Sequence, residues 1–431
     1  MKALIAGLLA VGALVLSASW SPAGAAQRAP HHLLGIVPYD AHTSGLTPAR
    51  HTSKAAGFNC ISSCSDYEAT INQYFTDVAA DSGLTTNVYS VLTQYSNIEY
   101  DSTFAGSYVE EHPFPANGCN DGFDKYCVTD QQLQQEIANV IERKGWPKFS
   151  LTTLYFIFTP ANVGVCFLSG PASGANACTM HVFCAYHTWN GSSFFYAVMP
   201  DAAAVGCDRG EAPAGNHADP TISAASHEHI EAITDPIQNG WKANDGPNQT
   251  PGDEIADLCT GNFGTPLGET VNGDAYNQVI NGHDYYLQLE YSNQDGGCVP
   301  YLGGPASAPT HGSGPLVYQN GTVMTTSAVY AIYWVPAAPA NKRLPTISGS
   351  AKVGRKLTAS HGKWSNAPKF TYRWLRCSSA ATSCAGIAKA TGVSYTLVKA
   401  DAHRRLEVRV TGTNMAGHAR ATSAPTAAVK P

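Results

Sequence analysis

The chain has 431 residues and a formal net charge of -6, and its charged residues make up 13% of the sequence, about half of the ~25% that is usual for soluble proteins. This length predicts two or three domains of roughly 150 residues each, and a hydrophobic content of 44% is sufficient for a sizeable core. The weak negative charge, without a basic patch, argues against a nucleic-acid-binding protein.

The N-terminus has the composition of a secretory signal peptide. Lys2 precedes an apolar run over residues 3–16, and small residues follow at 23–25; this order is typical of a segment that is removed on export. A membrane helix needs about 20 apolar residues, so an uncleaved anchor is the less favoured alternative. We predict a signal peptide over 1–26, a polar N-terminal arm over 27–58, and a secreted mature chain without a membrane span.

Hydrophobic periodicity and turn residues define the expected elements of a main domain over 59–303. They predict, in chain order, a helix over 66–80, a strand over 86–95, a helix from 129 or 130 to 144, a strand over 151–159, strands over 180–189 and 193–199, a helix from about Thr221 to before Pro236, and a strand over 284–291. This order favours an α/β (α+β) fold. It has too few alternating crossovers for a doubly wound nucleotide-binding fold, and no glycine-rich phosphate loop follows a strand.

The chain beyond residue 303 divides into three parts. A proline-containing stretch over 304–315 is expected to be a linker, and residues 316–335 are expected to form two short strands around a turn at Asn320–Gly321. Residues 346–429 contain short alternating strands and a candidate buried tryptophan, Trp374. This last part is predicted to be a small all-β sandwich.

The twelve cysteines occur as close neighbours along the chain, which in an oxidising compartment is typical of local disulfides. Sequential pairing predicts Cys60–Cys64, Cys119–Cys127, Cys166–Cys178, Cys184–Cys207, Cys259–Cys298 and Cys377–Cys384. A zinc–thiolate site at Cys60 and Cys64 is the rival interpretation, but no second Cys or His pair lies nearby at matching spacing.

The segment SHEHIEAITDP over 226–236 contains the residues best suited to chemistry. Residues four apart share a helical face, so His227 and Glu231 are expected to point the same way, as the two ligands of a metalloprotease helix do. Glu228 would then lie beside a metal-bound water and act as the general base. His229 lies on a different face of the helix and is expected either to contact the metal ligands without binding the metal or to be exposed.

A third metal ligand is expected from the segment GDEIADLC over 252–259. Glu254 lies 23 residues after Glu231 and is the preferred ligand, with Asp257 holding the free N–H of the His227 imidazole. The reverse assignment, with Asp257 as the ligand, is nearly as well supported. Zn²⁺ is the first choice of metal, and Ca²⁺ or Mn²⁺ are alternatives because a His/Glu/Glu set is harder than His/His/Glu. A metal-free, exposed His–Glu helix is the opposing interpretation.

A strand over 180–189 also contributes two histidines, His181 and His187, which fall on one face by parity. A strand beside the metal-binding helix often lines a substrate cleft. Histidine is, however, a common residue of intermediate burial, so core or rim positions are the favoured interpretation for both.

Several motifs resemble known families. HEHIEAITDP, NGW, GDEIADLC and GGC resemble a family of secreted actinobacterial proteins of unknown activity and, more distantly, the plant EXORDIUM or phosphate-induced proteins. The resemblance covers most of 65–303. It implies an extracellular location and an HExxE pattern that includes Glu231, but it implies no reaction.

One strand occupies an unexpected place in the chain. In the resembled family, a strand like the one within 316–335 precedes the first helix, and zincin-like sheets also begin with a strand. We therefore predict a circular permutation in which 316–335 completes the main sheet; a truncated second copy is the alternative. The C-terminal part resembles bacterial Ig-like repeats, which act as spacers or bind glycans and cell-surface partners.

Together, these features predict a zincin-like mixed sheet with an active-site helix, followed by an Ig-like sandwich. The leading function is metal-dependent peptide hydrolysis of a peptide or protein substrate, with His227, Glu231 and Glu254 holding the ion and Glu228 activating water. The competing class is a non-catalytic extracellular binding or signalling protein with a structural ion or none, whose Ig-like module contacts cell-surface glycans. Neither class involves nucleic acid.

Overall fold

A computed structural model describes residues 36–38, 64–122, 124, 126–167, 170–171, 178–179, 183–191, 193–202, 207–208, 210–243, 253–367, 369–414 and 417–431. The predicted signal peptide, nearly all of the predicted arm, the Cys60 pairing and His181 lie outside these residues. Within the described ranges, each helix is too short or too polar for a transmembrane segment.

Three α-helices lie where periodicity predicts them: α1 spans Cys64–Ala80, α2 spans Asp130–Lys144 and α3 spans Ala218–Thr234. Thr129 and Gln132 form a capping box at the start of α2, and Gly145 ends the helix in the left-handed conformation. Helix α3 starts earlier than the predicted Thr221. Pro220 lies in its first turn, where backbone N–H groups have no intrahelical partner, and so does not interrupt it.

The central sheet has six strands, which we number β1 to β6 in chain order: Ile36–Pro38, Ser102–Glu110, Thr153–Thr159, Phe183–Trp189, Phe195–Pro200 and Ser327–Trp334. Their spatial order is β1-β4-β5-β3-β6-β2. Strands β5, β3, β6 and β2 are parallel, whereas β4 is antiparallel to β5 and β1 is antiparallel to β4. Few helices, many strands and mixed pairing make this an α+β protein.

Alternating residues of the strands face two different helical layers. Leu154 and Phe156 of β3 belong to the core shared with α1 and α3. Tyr155, between them, points to the other side, where its hydroxyl donates to the Pro147 carbonyl just after α2. Period-two alternation thus places every second residue of β4, including His187, on the α3 side.

Strand β6 lies between β3 and β2, although more than 150 residues separate it from either in sequence. Both strands expected within 316–335 are present, at Leu316–Tyr318 and Ser327–Trp334, but they do not pair with each other as a hairpin. Leu316–Tyr318 instead pairs with Trp241–Ala243. The apolar strand β6 gains more burial inside the central sheet than it would in an isolated hairpin with Leu316–Tyr318. The permutation concerns ancestry and stays a prediction.

Two predicted strands of the main domain have different structures. Residues Val88–Gln94 form a 3-10 helix, not a strand, because the Asn87 side chain caps its start by accepting from the Tyr89 N–H. The predicted strand over 284–291 divides into His283–Tyr285 and Glu290–Ser292, which pair with different partners. A continuous apolar run in the sequence does not distinguish a single long strand from a 3-10 helix or from two short strands.

Further short ladders and two more 3-10 helices lie outside the central sheet in the described part of the chain. The ladders are Cys119–Asn120 with Gly170–Pro171, Tyr126–Thr129 with Val163–Cys166, Gly268–Glu269 with Ala275–Tyr276, Gln278–Ile280 with His283–Tyr285, and Glu290–Ser292 with Gly297–Val299. The 3-10 helices are Asp257–Cys259 and, near the C-terminus, Lys399–Asp401. The stretch expected as a linker is attached to the domain, since Ser307 pairs with Cys298 and Thr310 donates to the Leu258 carbonyl.

Five predicted disulfides are confirmed: Cys119–Cys127, Cys166–Cys178, Cys184–Cys207, Cys259–Cys298 and Cys377–Cys384. The Cys259–Cys298 bond joins the 3-10 helix that contains Asp257 to the strand Gly297–Val299.

The described residues of the C-terminal part form short strands, loops and the 3-10 helix Lys399–Asp401. Its strands are Ala340–Arg343 with Lys363–Ser365; Thr346–Ser348, Lys356–Ser360 and Ser394–Thr396; and Cys384–Gly386, Lys369–Cys377, Arg405–Asn414 and Gly417–Thr422. Trp374 is fully buried in a separate hydrophobic core with Leu357, Leu406 and Val408.

Candidate functional site

Helix α3 directs three of the predicted site residues into one buried cluster. His227 and Glu231, one helical turn apart, bring imidazole Nε2 and carboxylate Oε1 to 3.1 Å. Glu228 lies beside them, and ligand atoms of all three fall within 4.8 Å of one another. Fifteen of the 17 residues of the helix are buried, so the exposure expected in the opposing interpretation is wrong, whereas its metal-free part stays an alternative.

The segment after residue 252 brings Asp257 to the same imidazole nitrogen. Its Oδ1 lies 3.6 Å from His227 Nε2, and its backbone N–H donates to Glu231 Oε1 at 3.1 Å. Asp257 therefore faces Nε2, the nitrogen of His227 that would bind a metal, and does not contact His227 Nδ1. This position agrees with the sequence assignment in which Asp257 is the third ligand.

The His227 Nδ1 atom is contacted by a residue that the sequence did not indicate. The Gln288 side-chain amide lies 3.2 Å from Nδ1 and donates to the Ala256 carbonyl at 2.7 Å, and its oxygen accepts from Gly261. This network orients the amide nitrogen towards Nδ1. The proton of a neutral imidazole then lies on Nε2, where it competes with any cation for the same position.

Glu254 lies on the other side of Glu231, next to His187 of β4. Glu254 Oε1 is 3.7 Å from His187 Nε2, and Glu231 Oε2 is 3.7 Å from His187 Nδ1. Ligand atoms of the three residues lie within 4.8 Å of one another. His187 also contacts Glu228 Oε2 through Nδ1 at 3.1 Å. His187 is buried and both its nitrogens have contacts, as the favoured sequence interpretation of a core histidine expects; its contact with Glu228 was not predicted, and strand parity was the available signal.

Several ligand atoms in this cluster are buried without a hydrogen-bond partner among the described residues. They are His227 Nε2, Glu231 Oε2, Asp257 Oδ1 and both carboxylate oxygens of Glu254. The nearest groups are the imidazoles and carboxylates of the cluster itself, at 3.1–3.7 Å, and no Lys or Arg in the described ranges forms an ion pair with Glu231, Glu254 or Asp257. Buried carboxylates without a hydrogen-bond donor are strongly unfavourable. The donor set of imidazole and carboxylate groups therefore fits a divalent cation.

The pKa shifts of the clustered carboxyl groups agree with a site that lacks positive charge. Burial raises the pKa of Glu231 to about 7, helped by the Asp257 carboxylate, and burial together with Glu231 raises the pKa of Glu254 well above its usual value. Burial acts to lower the pKa of His227, but Glu231 and other carboxylates outweigh it and raise that pKa well above its usual value. Burial lowers the pKa of His187 to about 4.

His229, expected in a supporting or exposed position, is a fully buried core residue. Its Nδ1 lies 3.0 Å from the Tyr89 hydroxyl and its Nε2 lies 2.9 Å from Ser327 Oγ, so it connects α3 with the start of β6. Burial lowers its pKa to about 3. Both nitrogens are engaged, so His229 serves the fold.

A separate pocket of about 50 Å³ lies near the carboxyl ends of β3 and β6. Phe158 and Tyr333 line it together with Tyr67 and Glu68 of α1. None of the predicted metal ligands is among its lining residues.

Comparison with known proteins gives one partial similarity. No protein-family profile matches the chain. A stretch of 65 residues is 42% identical to Protein EXORDIUM-like 3 of Arabidopsis thaliana, and it covers 15% of this chain and 18% of that protein. The disulfides, with this similarity, are compatible with an extracellular location. The chain thus shares a short stretch with an EXORDIUM-like protein and is distantly similar to it.

Proposed function

We propose that this protein is a secreted, metal-dependent hydrolase of the metallopeptidase type, with a zincin-like main domain and an Ig-like C-terminal module. The observation that carries the proposal is the buried convergence of His227, Glu231 and Asp257, whose unpaired ligand atoms lie directly beside Glu228. The mixed sheet supports the zincin-like assignment, since antiparallel β4 packs against the helix that contains the candidate ligands.

The residues have distinct roles in this proposal. His227, Glu231 and Asp257 hold the ion, with Zn²⁺ as first choice and Mn²⁺ or Ca²⁺ as alternatives. A divalent cation supplies Lewis-acid polarisation of a carbonyl and lowers the pKa of water when it is bound. The Glu228 carboxylate accepts the proton of the attacking water, and His187, whose Nδ1 lies 3.1 Å from Glu228 Oε2, orients that carboxylate. The substrate class is a peptide or protein.

Metal content is the first test, with two histidines on the same helix as a matched pair. The purified wild-type protein is expected to bind Zn²⁺, and His227→Ala is expected to lose it. His229→Ala removes an equally buried imidazole and is expected to retain the ion, because His229 contacts Tyr89 and Ser327 instead. A wild-type protein that binds no metal after direct loading with Zn²⁺ contradicts the proposal.

Turnover on a peptide library then separates catalysis from metal binding. We expect Glu228→Gln to retain the ion and to lose activity by about 10²–10⁴-fold, the usual contribution of a general base. Equal activity of the wild type and Glu228→Gln contradicts the assigned role.

A second candidate function is a non-catalytic extracellular binding protein of the EXORDIUM-like type, whose C-terminal module contacts cell-surface glycans. The observation that favours it is burial, since the candidate ligands are at most 4% exposed, and structural ions occupy closed sites whereas catalytic ones keep an open position. Full metal loading, a large fall in Tm on chelation and no turnover on any peptide support this second function.

A further inference from the structure

The cluster around Glu231 contains two groups of ligands. His227 and Asp257 lie on the Oε1 side of Glu231, at 3.1 Å for the His227 Nε2–Oε1 pair. His187 and Glu254 lie on the other side, where Glu231 Oε2 is 3.7 Å from His187 Nδ1. The two oxygens of one carboxylate thus face two different histidines, as a bridging carboxylate does.

Each ring nitrogen of His187 faces an oxygen atom that accepts hydrogen bonds. Nδ1 faces Glu228 Oε2 at 3.1 Å, and Nε2 faces the Asp235 carbonyl oxygen at 3.2 Å and Glu254 Oε1 at 3.7 Å. A neutral imidazole carries one proton, so only one nitrogen can donate. Whichever nitrogen carries the proton, the other presents its electron pair to carboxylate or carbonyl oxygens, an arrangement that a cation satisfies.

Glu254 provides an independent observation. It is fully buried, and neither of its oxygens has a hydrogen-bond partner among the described residues. Lys242 is near, but its ammonium pairs with Asp235 at 3.3 Å. One divalent ion on the His227 side would leave two buried carboxylates, Glu254 and Asp235, to share the single charge of Lys242, and a buried carboxylate without its own counter-charge is strongly unfavourable.

We propose that the protein binds a second divalent cation among His187, Glu254 and Glu231, whose ligand atoms lie within 4.8 Å of one another, with Glu231 bridging it to the ion on the His227 side. The inference rests on the proposed function, because it needs the first ion to be bound. This mixed nitrogen and oxygen set suits Mn²⁺ or Zn²⁺. Two-metal sites with ions about 3.5–4 Å apart are common in hydrolases, where the ions hold the attacking and leaving oxygens.

The test is metal stoichiometry on the full chain, stripped with a chelator and reloaded separately with Zn²⁺ and Mn²⁺. We expect about two ions per chain, the number for a paired site. The Mn²⁺ form should show the EPR spectrum of an exchange-coupled pair, because ions that share a carboxylate are magnetically coupled. His187→Ala is expected to bind one ion and to show the spectrum of isolated Mn²⁺.

The controls distinguish the two proposals. His311→Ala removes an exposed imidazole that contacts Asp253, next to Glu254 in sequence, and should bind two ions. Glu254→Gln, which preserves volume, replaces His187→Ala if the latter does not fold. One ion in the wild type, unchanged in His187→Ala or Glu254→Gln, overturns the second site and leaves the first; no ion in the wild type overturns both.

Discussion

Removal of strand β6 should unfold the main domain, although the strand lies beyond the predicted end of that domain. Val329, Ile332, Tyr333 and Trp334 are each at most 2% exposed within the sheet. Full burial contributes about 1.5–3 kcal/mol for a large apolar side chain, so four of them contribute roughly 6–12 kcal/mol, which is comparable to a whole-domain stability of about 5–15 kcal/mol. A chain that ends at residue 314 should therefore not fold cooperatively.

The assay is thermal unfolding followed by near-UV circular dichroism and calorimetry. The control is a chain that ends at Pro339, which keeps β6 and lacks the C-terminal part. A point variant, Ile332→Ala, tests the same reasoning on the full chain and should lower the free energy of unfolding by about 2–5 kcal/mol. If the chain ending at 314 shows the same main-domain transition as the chain ending at Pro339, the strand does not stabilise the sheet and the reasoning fails.

Three further substitutions test local features of the structure. Replacing Cys259 and Cys298 with alanine opens a loop of 39 residues and should lower the free energy of unfolding, measured by chemical denaturation, by about 2–4 kcal/mol. The metal affinity should also fall, because the disulfide restrains Asp257. Unchanged affinity would show that the disulfide does not position this ligand. Trp374→Ala should destabilise the C-terminal part by about 3–5 kcal/mol while the metal content stays at the wild-type value, and loss of metal would contradict the separateness of its core. Thr129→Ala should cost about 1 kcal/mol, since the capping box of α2 is lost, whereas Thr129→Ser should be close to wild type.

Features that depend on residues close together in the chain were predictable. The three helices follow from periodicity, and the neighbouring cysteines pair because short loops keep them close. The common direction of His227 and Glu231 is a property of the helical repeat. The acidic segment after residue 252 could be named as a ligand source, but the sequence did not decide between Glu254 and Asp257.

The tertiary structure decided whatever depends on contacts between distant segments. An apolar run can be a strand or a helix, and Asn87 makes the difference at residues 88–94 through one cap. The position of β6 depends on the burial available between two other strands, which no local pattern contains. His187 and Gln288 reach the helix from segments about 40 and 60 residues away. The local sequence therefore set the helical half of the site, and the packing of the sheet and of the later loops brought in its other half.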